Sequence, residues 1–166
     1  MKMSDGVEWA IHCVVFLAMI PSEAAMPAKA LAQYHGVSES YLLKHLQALS
    51  AHHILQALPG PKGGYRLARP AETITFWDIV EALEGSEPVF RCTEIRQRGP
   101  VKADPAACRL PCAIYTAMRQ AEQAWQDSLR GQTIAAIVEH LGTTLSPASQ
   151  AASALWVQEN ARQQKS

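Results

Sequence analysis

The stretch KALAQYHGVSESYLLKHLQALSAHHILQALPGPKGGYRL, residues 29–67, decides the fold. KALAQYHGV follows Pro27 and reads as a short helix closing at Gly36. Ser38 stands where the next helix needs an N-cap. SESYLLKHLQALSAHHIL then reads as a second helix, with Tyr41, Leu42, Leu46 and Leu49 as its apolar positions. Two short helices joined by a tight glycine-containing turn form the helix-turn-helix pattern. Beyond them, residues 54–58 and 65–68 can pair as strands across the Pro/Gly turn PGPKGG. A helix-turn-helix followed by a β-hairpin is the winged-helix arrangement.

The flanks agree. Residues 7–20 are apolar almost throughout and read as a mostly buried helix that stops at Pro21. After the hairpin, Thr75 caps FWDIVEALEG, which Gly85 ends. In CAIYTAMRQAEQAWQDSLRG, Ile114, Met118, Ala121, Trp125 and Leu129 recur at spacings of 4, 3, 4 and 4. They form one apolar stripe, suited to a two-fold partner or to packing within the chain. GQTIAAIVEHL adds a short helix capped by Thr133. From Gly142 the tail is rich in Ala, Ser and Gln, reads as partly helical or disordered, and carries no functional signal. The expected fold is mainly α with a small β-hairpin wing. Residues 1–85 form the DNA-binding domain, 86–112 a loop, 113–141 a dimerisation helix with a short following helix, and 142–166 a tail.

Composition fits a globular protein: 166 residues, 48% hydrophobic, 18% charged, with zero net charge. Asp5, Glu8 and His12 interrupt the N-terminal apolar run, and no segment has the roughly 18 apolar residues of a membrane span, so a cytoplasmic location is expected. The charge is unevenly spread. Residues 29–69 hold five Lys or Arg against one acid, while residues 71–104 hold seven acids against four bases. The basic half coincides with the winged helix and points to a polyanion, double-stranded DNA. A recognition helix presents its N-terminal residues to base edges, and Ser38, Ser40, Tyr41, Lys44 and His45 occupy those turns. Gly63 and Gly64 let the wing backbone approach closely, while Lys62 and Arg66 can reach phosphates or the minor groove.

Four cysteines remain to be placed. Cys13 reads as a small apolar core residue. Cys108 and Cys112, in CRLPC, sit at the start of the stripe-bearing helix, with Pro111 at its expected first position and Cys112 in its first turn. Free helix N–H groups there stabilise a thiolate. In a cytosolic protein such thiols point to metal or redox chemistry. Two thiols leave a four-ligand site half built. Cys92 could complete it, or Glu8 and His12 could, since they lie four apart on one face of the first helix. On residues alone, Glu8 and His12 could equally be a half-buried hydrogen-bonded pair.

The runs ALAQYHGVSESYLLKHLQALSAHHIL and GPKGGYRLARPAETITFWDIVEALEG resemble the iron–sulphur-cluster winged-helix regulators, the IscR, NsrR and RsrR group. The similarity spans about residues 5 to 140 and lies closest to the RsrR type. Its most specific part is the wing, Gly60-Pro61-x-Gly63-Gly64-Tyr65-Arg66-Leu67; Lys62 departs from the glycine usual there. The resemblance implies a homodimer on a pseudo-palindromic operator, acting as repressor, with a [2Fe–2S] cluster. The usual loop of three close cysteines is absent, because Cys92 lies far upstream of Cys108. In the family the first helix packs near the partner's cluster loop. This implies Glu8 and His12 of one subunit with Cys108 and Cys112 of the other as ligands, and Cys92 as the alternative. The redox state would then shift the dimer between DNA-competent and incompetent geometries, which for a near-complete switch takes about 5 kcal/mol. Trp9, beside Glu8, is a candidate moving part or relay. A zinc-stabilised or thiol–disulfide-switched regulator is the alternative. No phosphate loop and no Gly-x-Ser-x-Gly elbow is present, so an enzyme is not expected.

Overall fold

The computed structural model describes residues 3–61, 63–101, 104 and 106–163. Helix α1 spans Asp5–Met19, with Asp5 and Glu8 in its first turn, where acids favour the helix dipole. It buries Ala10, Cys13, Val14, Phe16 and Leu17, so one element supplies the middle of the core. It stops two residues before Pro21.

The helix-turn-helix follows as α2 (Ala28–His35) and α3 (Glu39–Ala51). Gly36 ends α2 in the left-handed region (φ 66°), and its N–H reaches back to the Ala32 and Gln33 carbonyls. Leu42, Leu46 and Leu49 of α3 are fully buried against α1 and α2. Fully burying each such leucine is worth about 1.5–3 kcal/mol. Ser38 has the extended N-cap conformation, but its hydroxyl does not cap α3. It meets the Ser40 hydroxyl instead, 3.2 Å away.

The wing is β2 (Leu55–Leu58) paired antiparallel with β3 (Gly64–Leu67), in register Leu55↔Leu67 to Leu58↔Gly64. Helix α4 (Phe76–Glu84) begins with a reciprocal capping box between Thr75 and Asp78 and ends at Gly85. Helix α5 (Ala113–Arg130) is long, and α6 (Ile134–Thr144) begins at Thr133, whose hydroxyl accepts from the Ala136 N–H. Antiparallel bridging between Thr75 and Thr133 joins the starts of α4 and α6.

A further expectation needs correction. Pro111 is not the first helical residue. Cys112 keeps an extended backbone (ψ 129°) and is the N-cap, so α5 starts at Ala113. The tail takes the helical one of its two expected forms, as α7 (Pro147–Asn160), followed by β4 (Arg162–Gln163). Ser146 caps α7 through the Ser149 N–H, with Pro147 at its first turn. β4 pairs with β1 (Ala24–Ala25), and Met26 next to β1 exchanges two 2.9 Å hydrogen bonds with Tyr65 of the wing. The C-terminus is thereby stitched to the N-terminal half. Among the described residues no helix is long and apolar enough to cross a membrane.

Candidate nucleic-acid interface and cysteine loop

Helix α3 exposes Ser38, Ser40, Tyr41 and Lys44 at its N-terminal end. Tyr41 is 45% exposed, and the Lys44 ammonium lies 6.0 Å from its ring centroid. His45 is placed differently. Its imidazole turns toward α1 and packs over Gly6, where a Cβ would come within 2.3 Å of it. Its Nε2 is buried without a hydrogen-bond partner. Burial lowers its pKa, with Lys44 adding to the effect and Glu84 opposing it. The ring therefore contributes packing between α1 and α3.

At the wing, Arg66 is held straight by its Nε–H, which donates to Gln56 Oε1 across the strands at 3.0 Å. A Cβ on Gly63 would lie 2.0 Å from the Leu58 carbonyl oxygen, and one on Gly64 would lie 2.6 Å from Met26 backbone. These glycines are thus required by the turn and by the β1–β3 contact, whatever approaches from outside. Lys62 lies outside the described residues.

The loop after α4 is fastened to α5. Glu122, 9% exposed, accepts from the Val89 N–H (2.9 Å) and from Arg119 (2.5 Å). Further along, Glu94 adopts a left-handed conformation (φ 51°) and accepts from Arg96 at 2.8 Å. The Cys92 thiol lies 3.7 Å from Glu94, and Arg96 also donates to the Leu110 carbonyl at 3.1 Å. Cys108 and Cys112 both lie near enough for the Arg96 charge to be felt. The Cys112 thiol is held below its ordinary value, first by the Tyr115 and Ile114 backbone N–H groups and then by Arg96. Cys13 is the opposite case: burial pushes it up to about 12, that of an inert core thiol. Glu94, Arg96 and Glu122 carry no spacing pattern in the sequence. The one available hint was an Arg between Cys92 and Cys108, four residues after the first.

Glu8 and His12 are both exposed on α1 and border one shallow depression with Met3, Asp5 and Ile11. They are not a buried pair. Nor does one chain bring them to the cysteines: among the described residues, no group of three or more His, Cys, Asp or Glu could hold a metal ion. Trp9 faces the other way. Its ring meets Tyr41 and His45 edge-on, with centroids 5.3 and 6.4 Å away.

The stripe on α5 is divided. Trp125 packs edge-on to Trp77 of α4 (5.7 Å, 89°), and Leu129 joins the same small cluster. Toward the N-terminus, Ile114 (67%) and Met118 (44%) are exposed, beside Cys112. The row is open where the thiols are.

Comparison with known proteins agrees with this architecture. The Bacillus subtilis protein named HTH-type transcriptional regulator YwgB is 28% identical over 142 residues, which is 86% of this chain and 87% of that one. Among solved structures, T. potens IscR superposes with a TM-score of 0.65 at 21% identity, covering 88% of this chain and 93% of the other. CymR, the global cysteine regulator of B. subtilis, gives 0.63 at 23%, covering 84% and 98%. These two structures show the shared fold. The homologues are named as transcriptional regulators and not as enzymes. The family model for Rrf2, described as an iron-dependent transcriptional regulator, matches residues 3–140, so the chain is a winged-helix, DNA-binding transcriptional regulator of the Rrf2 family.

Proposed function

We propose that this regulator is a redox-responsive repressor whose homodimer holds a [2Fe–2S] cluster between its subunits, as in the RsrR type. The observation that carries the reading is the position of Cys108 and Cys112. Cys112 is the N-cap of α5, beside the uncovered apolar row of Ile114 and Met118, and Cys108 lies in the short turn just before it. A second copy that covers this row comes to the thiols. Glu8 and His12 are exposed on α1 and free to be brought there by the partner. The donor set of two thiols, an imidazole and a carboxylate is read as assembled across two chains, since the described residues of one chain bring no such group together. Cys108 and Cys112 of one subunit with Glu8 and His12 of the other would hold it, with Cys92 as the alternative ligand. When bound, the cluster would supply a one-electron redox change. The iron-dependent character of the family supports iron over zinc.

The chain's own residues carry the response. Arg96 and the α5 N-terminus stabilise anionic sulphur, and α1 transmits through Trp9 to α3. DNA contact falls to Ser38, Ser40, Tyr41, Lys44 and Arg66, with residues 1–85 as the DNA-binding unit, 86–112 as the sensing loop and 113–141 as the dimerisation unit. A metal-free thiol switch is the second reading. It is favoured by the lowered Cys112 thiol and by the likeness in fold to CymR, the global cysteine regulator.

An absorption spectrum with iron and sulphide assays on anaerobically purified protein tests this. A red-brown protein that loses its cluster in His12→Ala and keeps it in Cys92→Ala supports the inter-subunit site. Loss in Cys92→Ala alone moves the ligand to Cys92. A colourless protein with a redox-dependent Cys108–Cys112 disulfide establishes the second reading, and zinc alone removes redox sensing at the metal.

A further inference from the structure

We propose that the half-open cavity lined by α1, α2, α6 and α7 is a binding site for an uncharged aromatic small molecule that carries one hydrogen-bonding group. The cavity has a volume of about 760 Å³. That falls within the roughly 300–1,000 Å³ typical of small-molecule sites. Its walls are chiefly apolar, with Val15, Phe16, Met19, Val138, Leu141 and Val157 among them. An apolar space of this size gains nothing from water and is filled favourably by an apolar guest.

The lining also defines the guest's chemistry. It contains no Asp, Glu, Lys or Arg, so a charged molecule would lose its hydration without gaining a counter-ion. Aromatic rings gather along one side. Phe16 and Tyr34 have centroids 4.3 Å apart, Tyr34 and His35 lie 5.0 Å apart, and His35 and His12 lie 5.9 Å apart. They offer faces and edges to a further ring. The polar groups on the wall are the Tyr34 and Ser153 hydroxyls, which bond each other at 2.7 Å, the imidazoles of His12 and His35, and the Gln150 amide, whose N–H donates to the Gly142 and Leu145 carbonyls at 3.3 and 3.1 Å. Hydroxyls can donate or accept, so one polar group on the guest can be met there. The His35 Nε2 is buried without a hydrogen-bond partner among the described residues.

The fourth wall lies beyond the family match. The family match ends at residue 140, whereas Leu145, Gln150, Ser153, Ala154 and Val157 all lie beyond it. The Tyr34–Ser153 hydrogen bond, the Trp156 ring 5.9 Å from Tyr34, and the β1–β4 pairing hold α7 in place. The tail thus closes a cavity over α2, the first helix of the helix-turn-helix, and over His12. A guest there touches both.

Gly142 provides the test. It lines the cavity, and a Cβ added to it would meet nothing within 4 Å. Gly142→Phe therefore adds a large side chain to the cavity lining without a steric clash at its Cβ, in a helix that tolerates the change. The full-length protein is titrated with N-phenyl-1-naphthylamine, an uncharged fluorescent aromatic, and unfolding midpoints are recorded in parallel. The expected result is saturable binding of one probe per chain, weakened at least tenfold by Gly142→Phe and retained by Gly142→Ala. Ala154→Phe, on the opposite wall, reproduces the loss if Gly142→Phe does not fold. No saturable uptake by the wild-type dimer would overturn the proposal, because the cavity is then filled by protein. Uptake indifferent to both phenylalanines would overturn it too, because the probe then binds elsewhere.

Discussion

The Trp9 indole of α1 meets the Tyr41 ring of α3 edge-on, with centroids 5.3 Å apart and planes at 76°. Trp9 follows Glu8 in sequence, and Tyr41 lies on the exposed end of the recognition helix. One aromatic contact therefore spans the distance from a proposed ligand to a proposed DNA contact. Trp9→Ala should lose about 1 kcal/mol or more of stability, since such a pair is worth about 0.5–1.5 kcal/mol beyond its buried area. Its larger effect should be on coupling: operator affinity becomes the same in oxidised and reduced protein. Trp9→Phe keeps part of the difference. Fluorescence anisotropy with operator DNA in both redox states, beside urea unfolding, measures the two effects. A Trp9→Ala protein with an undiminished redox difference removes Trp9 from the path.

Gly6 and His45 make a second contact between the same helices, and here the sign of a mutation is decided by space. Helix propensity alone favours Ala over Gly. At Gly6, however, a Cβ would stand 2.3–2.9 Å from three atoms of the His45 ring. Gly6→Ala should therefore destabilise by about 1–3 kcal/mol, the usual cost of overpacking. In a His45→Ala background the same change should cost little. The four-protein cycle by chemical denaturation measures the coupling, and additive effects would show that the ring simply moves aside.

That contact also shows what the sequence made legible. Local signals were readable: Gly36 and Gly85 as stops, Thr75 and Thr133 as caps, and the wing turn between two short strands. Each acts through neighbouring backbone. The orientation of His45 was not readable, because it depends on Gly6, 39 residues away. Helix α7 had its own start signal in Ser146-Pro147, but its weak apolar content hid it. Its place is set by Tyr34 and Trp156, contacts formed only in the fold. The cysteine loop was half legible. Cys108 and Cys112 were evident from spacing, whereas Arg96 acquires meaning only when the chain turns back to Leu110.

Asp78 gives a pH-dependent expectation. Burial would raise its pKa, but the Thr75 backbone N–H, Arg69 and the Thr75 hydroxyl outweigh it and leave the carboxyl below its ordinary 3.8. A depressed folded-state value means that the stabilisation is fully present above the unfolded value and is lost as pH falls through the folded one. Asp78→Ala should cost about 1 kcal/mol at pH 7, typical of a lost capping interaction. The gap between wild type and variant should close in strong acid, below the ordinary carboxylate value. Urea unfolding at pH 7 and in acid reads this directly, and a gap that persists in acid would assign the effect to packing.

The Arg66 Nε–H donates to Gln56 Oε1 at 3.0 Å across the wing strands, which restrains the guanidinium beside the turn. If it neutralises a phosphate, it acts on every sequence alike. Arg66→Ala should then weaken specific and non-specific DNA to a similar degree and lower the slope of log affinity against log salt by about 1. Lys44→Ala provides the contrast. It lies 6.0 Å from the ring centroid of the exposed Tyr41, at the end of α3 proposed to read base edges. Its loss should cost about 1–3 kcal/mol on operator DNA, and much less on random sequence. Anisotropy titrations on both DNAs across a range of salt separate the two roles. The reverse pattern, with Arg66 selective and Lys44 uniform, would mean that the wing reads sequence and the helix only positions the protein.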